Sequence, residues 1–279
     1  MALELRTINQ DHVSQLQQLI LANPIRHCYA ASRIELMGVS NFQQRQVNIV
    51  GAFDGDQLVS ALMFGANLVP IDMTQEALDL FGDLLVRQGR RCSSIVGSAF
   101  EVFELWNRVK DSWGSARQIR NNQPVLATAS YSALEIDEQV RYSTSNDIDI
   151  LFPACVEMFT QEVGISPIGS DNGLSYRNRI SELIDLRRSF IRIDDGEVVF
   201  KTEAGCIGAS VAQLQGVWVK TEERGQGLGQ HAMATVVKRV LDDIAPIVSL
   251  YVNDYNKSAI AMYEKVGFKQ VDSFATILF

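Results

Sequence analysis

The sequence predicts an α/β fold with a mixed sheet, in which two similar units follow one another. Three observations predict it. The 279 residues are enough for two ordinary domains, and apolar runs typical of strands alternate with segments of helical periodicity. An Asp-Gly turn also joins two apolar runs in each half, at Asp54-Gly55 and at Asp195-Gly196. We place the boundary near residue 140, with a first half over residues 1–140 and a second half over residues 141–279.

The first half is expected to contain strand, strand, helix, strand and helix in that order. Its clearest helix follows Thr74, a good N-cap residue, and carries apolar residues at helical spacing. The expected elements are residues 46–53, 57–71, 74–88, 92–97 and 100–109.

The second half is expected to open with two helices and then to repeat that order. The expected elements are helices over 147–163 and 174–188, strands over 190–194, 197–204 and 210–219, a helix over 227–242, a strand over 247–252, a helix over 256–266 and a strand over 274–279. Two unrelated α/β domains with a similar order of elements are the alternative to a repeat.

Composition excludes several classes of protein. The net charge of -8 argues against nucleic acid or an anionic membrane as the main partner, because both are bound through clustered Lys and Arg. The four cysteines form no CxxC pair, so we expect reduced thiols and no metal site. The N-terminus has no signal-peptide pattern and no apolar run is long enough to span a bilayer, so we expect a cytoplasmic protein.

A glycine-rich loop between a strand and an amphipathic helix is the most informative segment, with Gly225, Gly227 and Gly229 alternating with other residues. A helix N-terminus presents unpaired backbone N–H groups and a positive dipole end, and glycines allow a phosphate to approach them. The spacing disfavours a Rossmann site, and no Walker Gly-Lys-Ser/Thr follows. A helix entry that is merely rich in glycine is the remaining alternative.

Two motifs of the second half resemble a known family. Arg224-x-x-Gly227-x-Gly229 is similar to the loop Arg/Gln-x-x-Gly-x-Gly/Ala of the GNAT superfamily of acyl-CoA-dependent N-acyltransferases. The segment Asn256-x-x-Ala259-x-x-x-Tyr263-Glu-Lys-Val-Gly267-Phe268 resembles the motif that follows in that superfamily.

The resemblance extends to the arrangement of the two halves. Segments 213–219 and 249–254 are similar to an actinobacterial group of tandem GNAT proteins with a degenerate first copy. In the first half, Pro70-Ile-Asp-Met-Thr74 stands where the glycine loop would be. The resemblance therefore implies two GNAT-like folds in tandem, a degenerate one over 1–140 and a complete N-acetyltransferase domain over 141–279.

The resemblance implies acetyl-CoA as co-substrate and transfer of its acetyl group to a primary amine by direct attack in a ternary complex. The strand before the loop would bind the pantetheine arm, and the loop amides would bind the pyrophosphate. The residues implied in this binding are Val217, Trp218, Val219, Arg224, Gly225, Gln226, Gly227, Leu228, Gly229, Asn253 and Asn256.

Tyr263 is the candidate general acid for the departing thiolate, because a phenol with an ordinary pKa of about 10 can protonate it. The alternative is that Tyr263 only extends a buried helix face. The strand before the loop offers Gln213 and Gln215, which cannot accept a proton. The general base is therefore expected to be Glu203, Glu162 or an ordered water.

The acceptor, a small-molecule or peptide amine, is expected to bind against the two helices that open the second half. The candidate wall residues are Met158, Phe159, Glu162, Tyr176 and Arg179. Two other functions are open: a mycothiol-synthase-like acetyltransferase acting on an amino conjugate, and a non-catalytic acyl-CoA sensor or interaction module. The sequence predicts no oligomeric state.

Overall fold

A mixed sheet with helices on both faces forms the protein in a computed structural model, which describes residues 2–37 and 48–279. The strands are β1 (Glu4–Thr7), β2 (Asn48–Asp54), β3 (Gln57–Phe64), β4 (Asn67–Ile71), β5 (Ser94–Ser98), β6 (Gln118–Thr128), β7 (Arg141–Tyr142), β8 (Ser189–Asp194), β9 (Glu197–Gly208), β10 (Val211–Val219), β11 (Ile247–Tyr251) and β12 (Lys269–Leu278). The helices are α1 (Val13–Ala22), α2 (Cys28–Met37), α3 (Gln75–Gln88), α4 (Ala99–Trp113), α5 (Ile148–Val163), α6 (Leu174–Asp185), α7 (Leu228–Asp243) and α8 (Lys257–Val266).

The strand order is β1-β2-β3-β4-β5-β12-β6-β11-β10-β9-β8-β7. The β4–β5 and β10–β11 pairs are parallel, and the other pairs are antiparallel. The sheet is therefore mixed, as the sequence predicts.

The two halves exchange their last strands at the centre of the sheet. Strand β6 of the first half lies between β11 and β12, and Leu126 pairs with Leu250 of β11. Strand β12 of the second half lies beside β5, where Ala275 pairs with Gly97. Each half thus completes the sheet of the other. The domain boundary near residue 140 stays a prediction.

The order of elements recurs in the two halves, which is the repeat that the sequence predicts. The strand expected over 57–71 is two strands, because the chain turns at Gly65 and Ala66. The sequence analysis also missed β1, α1, α2, β6 and the short strand β7. Residues 46 and 47, placed in the first predicted strand, lie outside the described residues.

Separate apolar clusters join the helices to the sheet. Helices α3 and α4 pack on β5 and β12, with Phe81 and Leu105 fully buried. Helices α7 and α8 pack on β6, β10 and β11, and α5 and α6 cover Trp218 of β10 on the other face. Helix α2 of the first half reaches β10, where the Cys28 thiol lies 3.3 Å from the Val211 carbonyl oxygen.

The four cysteines are buried free thiols, as expected. No helix within residues 2–37 and 48–279 has both the length and the apolar character needed to cross a membrane.

Candidate functional site

The glycine loop lies between the end of β10 and the start of α7. Gly227 is the N-cap of α7 and adopts a left-handed conformation with φ of 89°, which favours glycine. In the described chain, no hydrogen bond is donated by the backbone N–H groups of residues 225–229. These unpaired donors at the positive end of a helix fit a phosphate group.

Strands β10 and β11 separate next to this loop. They pair only from Val211 opposite Ile247 to Gln213 opposite Ser249, and residues 214–219 have no partner on β11. Strand β10 also bulges between Gln215 and Trp218, where Gly216 has a positive φ of 59°. The parting strands leave backbone groups beside the loop that an extended ligand can use as a strand would.

Arg224 does not extend into this opening. Its Nε donates to the Val219 carbonyl oxygen at 2.9 Å, and its Nη2 donates to Gln161 Oε1 at 3.0 Å. The side chain therefore ties the glycine loop to the end of α5. The Trp218 indole lies in the apolar cluster under α5 and α6, so only its backbone borders the opening.

Tyr263 is buried on α8, with its ring 5.8 Å from that of Phe268. Burial, followed by the charge of Glu162, raises the pKa of Tyr263 well above its ordinary value. The hydroxyl is therefore protonated at neutral pH. No hydrogen bond within the described residues uses this hydroxyl, which leaves it available to a ligand.

The two candidate bases lie in different environments. Glu162 is near the end of α5 with its side chain half-exposed, and its Oε1 lies 3.8 Å from Arg120 Nη1. Glu203 forms an ion pair of 2.9 Å with Lys201, whose side chain is fully buried. Both Lys201 and Glu203 press against Gly216: a Cβ there would lie 2.7 Å from Glu203 Oε1.

The two asparagines that follow β11 have internal partners. Asn256 Oδ1 accepts from the Ala259 backbone N–H at 3.2 Å and so caps α8, the role that the residue type favours. Asn253 is buried, and its Oδ1 accepts from Gln123 Nε2 at 3.1 Å. Their contact with a cofactor stays a prediction.

The residues predicted to line the acceptor pocket mostly pack on one another. Met158 is buried, and the Phe159 ring meets the Tyr176 ring edge-on at 5.5 Å. The Tyr176 hydroxyl donates to the Cys155 carbonyl oxygen at 3.1 Å, and Arg179 pairs with Glu182 at 2.6 Å. Of this set, Glu162 lies at the helix end that faces the loop, and acceptor contact stays a prediction for all five.

Residues 175–268 match the model of the acetyltransferase (GNAT) family. The second half of the chain therefore contains a GNAT acetyltransferase domain. This match indicates an acyltransferase. Residues 47–151 match a second family model, described as a domain of unknown function (DUF4081).

Solved structures of GNAT proteins share this fold over nearly the whole chain. A GNAT-family acetyltransferase from Colwellia psychrerythraea is 15% identical, covers 99% of each chain and has a TM-score of 0.59. A GCN5-related N-acetyltransferase from Sphaerobacter thermophilus is 15% identical, covers 99% of this chain and 94% of its own, and has a TM-score of 0.61.

A tandem GNAT protein from the clavulanic acid biosynthesis pathway is 13% identical, covers 99% of this chain and 98% of its own, and has a TM-score of 0.53. No curated protein matches the chain. At these identities the likenesses show the fold, and they support two GNAT-like folds in tandem.

The first half lacks the features of the GNAT site at the equivalent positions. Counted from the helix starts, Leu105 of α4 takes the place of Tyr263 of α8. No glycine loop precedes α3. Instead, the buried Glu101 accepts from the Met73 backbone N–H at 2.6 Å, so an internal carboxylate occupies a backbone donor there.

The sequence analysis missed three residues that contact the predicted site, namely Arg120, Gln123 and Lys201. The first two lie on β6, which was not predicted as a strand. Lys201 could have been found, because its spacing of two from Glu203 on a strand places both side chains on one face.

Proposed function

We propose that the protein transfers the acetyl group of acetyl-CoA to a primary amine by direct attack in a ternary complex. The observation that carries the proposal is the set of unpaired loop amides beside parting strands and a buried, protonated tyrosine. GNAT membership supports the acyl transfer, and the loop amides support a phosphate-bearing donor.

The residues present fit acetyl-CoA. The N–H groups of residues 225–229 supply donors for the pyrophosphate, and residues 214–218 offer backbone groups to the pantetheine arm. Backbone groups suffice here although the chain is acidic overall, because a helix N-terminus and its amides attract an anion without basic side chains.

In the proposed reaction the amine attacks the thioester carbonyl carbon, the C–S bond breaks and the thiolate takes a proton. Tyr263 donates that proton, since its raised pKa keeps the hydroxyl protonated. The proton that the attacking nitrogen loses as the amide forms returns to Tyr263 through water. We assign the removal of the ammonium proton to Glu162. Its half-exposed carboxylate can be reached by an acceptor, directly or through water, whereas Glu203 is engaged by a buried lysine.

The acceptor class that we propose is a small-molecule or peptide amine. A positive ammonium group is attracted to Glu162 at the end of α5, and the acidic chain offers little to nucleic acid or to an anionic membrane. The buried free cysteines suit the reducing cytoplasm, where we place the reaction.

The test is thiol release from acetyl-CoA over a panel of amines and aminoacyl compounds. With the acceptor that works best, Tyr263→Phe is expected to lower kcat by about 10²- to 10⁴-fold, because it removes the general acid. Acetyl-CoA affinity, measured by calorimetry, is expected to stay within about twofold, since the hydroxyl is not needed for phosphate binding.

Tyr255→Phe is the matched control, because Tyr255 has a largely exposed side chain and removing its hydroxyl leaves the buried site intact. Equal activity of Tyr263→Phe and wild type would contradict the acid role. Acetyl-CoA binding without thiol release toward any amine would contradict the enzyme and support the acyl-CoA sensor instead.

A further inference from the structure

The end of α5 is held from two sides where it passes over the parted strands. On the loop side, Arg224 Nη2 donates to Gln161 Oε1 at 3.0 Å. On the other side, Arg120 Nη2 donates to the Glu162 carbonyl oxygen at 2.9 Å. Glu162 therefore lies between the glycine loop of the second half and a strand supplied by the first half.

Within residues 2–37 and 48–279, both polar contacts of the Arg120 side chain are with Glu162. Besides the bond to the carbonyl oxygen, Arg120 Nη1 lies 3.8 Å from Glu162 Oε1, while its Nε is buried without a partner among the described residues. The last carbonyl groups of a helix lack intrahelical partners, and a cation is favourable there. Because the Arg120 side chain is only 9% exposed, its guanidinium is a fixed support for Glu162.

The same strand holds a second residue of the predicted site. Gln123 accepts from the Thr276 hydroxyl at 2.6 Å through Oε1 and donates to Asn253 Oδ1 at 3.1 Å through Nε2. The Asp254 backbone N–H also donates to the Asn122 carbonyl oxygen at 3.2 Å. Strand β6 thus supports the segment between β11 and α8 as well as the end of α5.

We infer that Arg120 is a positioning residue for the reaction of the second half, acting through Glu162, so that the first half completes an active site that it does not itself contain. The inference rests on the proposed function, in which Glu162 takes the proton of the acceptor amine. Arg120 holds the helix end by its hydrogen bond to the Glu162 carbonyl oxygen and attracts the Glu162 carboxylate across 3.8 Å, which sets the distance from that carboxylate to the bound amine.

A double-mutant cycle on the full chain tests the inference, with Arg120→Gln, Glu162→Gln and the double variant measured by thiol release with the best acceptor of the panel. Arg120→Gln is expected to lower kcat/KM for the amine by about 10- to 100-fold, the cost of a misplaced catalytic group. In the Glu162→Gln background the same change is expected to cost less than about twofold, because the group that it positions is already absent.

Arg26→Gln is the matched control. Arg26 also links the first half to a strand of the second, since its Nε donates to Asp272 Oδ2 at 2.7 Å, but it does not contact the α5 end. It is expected to leave kcat/KM within about twofold. If Arg120→Gln does not fold, Arg120→Lys is used instead, since it keeps the charge with fewer hydrogen-bond donors. Its loss of kcat/KM is expected to be smaller, and to be absent when Glu162 is already replaced by Gln.

The outcomes separate this inference from the proposed function. Equal losses from Arg120→Gln or Arg120→Lys in the wild-type and Glu162→Gln backgrounds would show that Arg120 acts independently of Glu162, and would overturn the inference alone. A wild-type protein that releases no thiol with any amine would overturn both. Unchanged acetyl-CoA affinity together with non-additive losses supports both.

Discussion

Gly227 sets the conformation of the loop that we assign to the cofactor. Its φ of 89° lies in the region that favours glycine, and it turns the chain into α7 with the preceding amides unpaired. A Cβ would meet no atom closer than 3.6 Å, so a side chain there would extend into open space rather than into the protein. That space is where a phosphate would approach the amides.

Gly227→Leu is therefore expected to weaken acetyl-CoA binding by at least about tenfold, through backbone strain and a blocked approach to the loop. Titration calorimetry measures the affinity. Gly114→Leu is the matched control, because Gly114 has a similar φ of 77° and nothing within 4 Å of its Cβ position, yet lies at the end of α4 in the first half. Equal affinities for Gly227→Leu and wild type would contradict the loop assignment.

At the scale of single residues, the sequence analysis found Gly227, Asn256 and Tyr263 because they lie in contiguous motifs. The capping role of Asn256 is confirmed, and the roles of Gly227 and Tyr263 in the reaction stay predictions. Arg120 and Gln123 could not be found in this way, because their partners Glu162 and Asn253 are far along the chain. Only the strand exchange brings them together, and one sequence alone carries no signal for it.

Helix α5 is also held by side-chain hydrogen bonds at its start. Asp147 lies just before the helix, accepts from Arg141 at 2.7 Å and 2.8 Å, and also accepts from the Thr144 backbone N–H at 2.7 Å. The hydrogen bonds from Arg141 are the main cause that lowers the pKa of Asp147 to about 2. A carboxylate at a helix start is also favoured by the helix dipole.

Asp147→Asn is expected to lower the free energy of unfolding at pH 7 by about 2 kcal/mol, since the pKa of this carboxyl is lower in the folded than in the unfolded chain. The contribution is complete above about pH 4 and is lost as the pH falls toward 2, where the folded form is protonated as well. Urea unfolding of wild type and variant across this range measures the difference.

Asp149→Asn is the control within the same helix. Asp149 pairs with Arg177, but its side chain is 81% exposed, so a loss below about 1 kcal/mol is expected. A difference between wild type and Asp147→Asn that did not change with pH would contradict the ionic role of Asp147.

At the scale of elements, the sequence predicted those with clear periodicity. Helix α3 begins after Thr74, whose hydroxyl accepts from the Ala77 backbone N–H as an N-cap should. Strand β6 was missed because Asn121, Asn122 and Pro124 are residues typical of turns. The pairing of β6 with β12 shifts register in this region, which accommodates a proline in a central strand.

The strand exchange makes one cooperative unit of two repeats. Strands β6 and β12 pair with each other along most of their length, and each also pairs with the opposite half. Neither half can lose its packing without exposing an edge of the other. The sequence predicted two similar units, yet their interlocking depends on which strands pair, and periodicity does not report pairing.

Thermal unfolding is therefore expected to show a single calorimetric transition. Leu105→Ala, at a fully buried position of the first half, is expected to lower the free energy of unfolding by about 2 to 5 kcal/mol and to shift the whole transition to lower temperature. Leu21→Ala, at an exposed position of the same half, serves as the control. Two resolved transitions, with only one shifted by Leu105→Ala, would contradict the coupling of the halves.

The position of β6 also has a consequence for biosynthesis. About 120 residues separate the end of β6 from the start of β11, its neighbour in the sheet. At roughly 5 to 20 residues per second, a ribosome takes roughly 6 to 24 s to make that length. Throughout this interval β6 has apolar side chains and unpaired backbone groups, but neither of its neighbouring strands has been made. The nascent chain therefore carries an aggregation-prone strand edge, which a chaperone can shield until translation reaches β12.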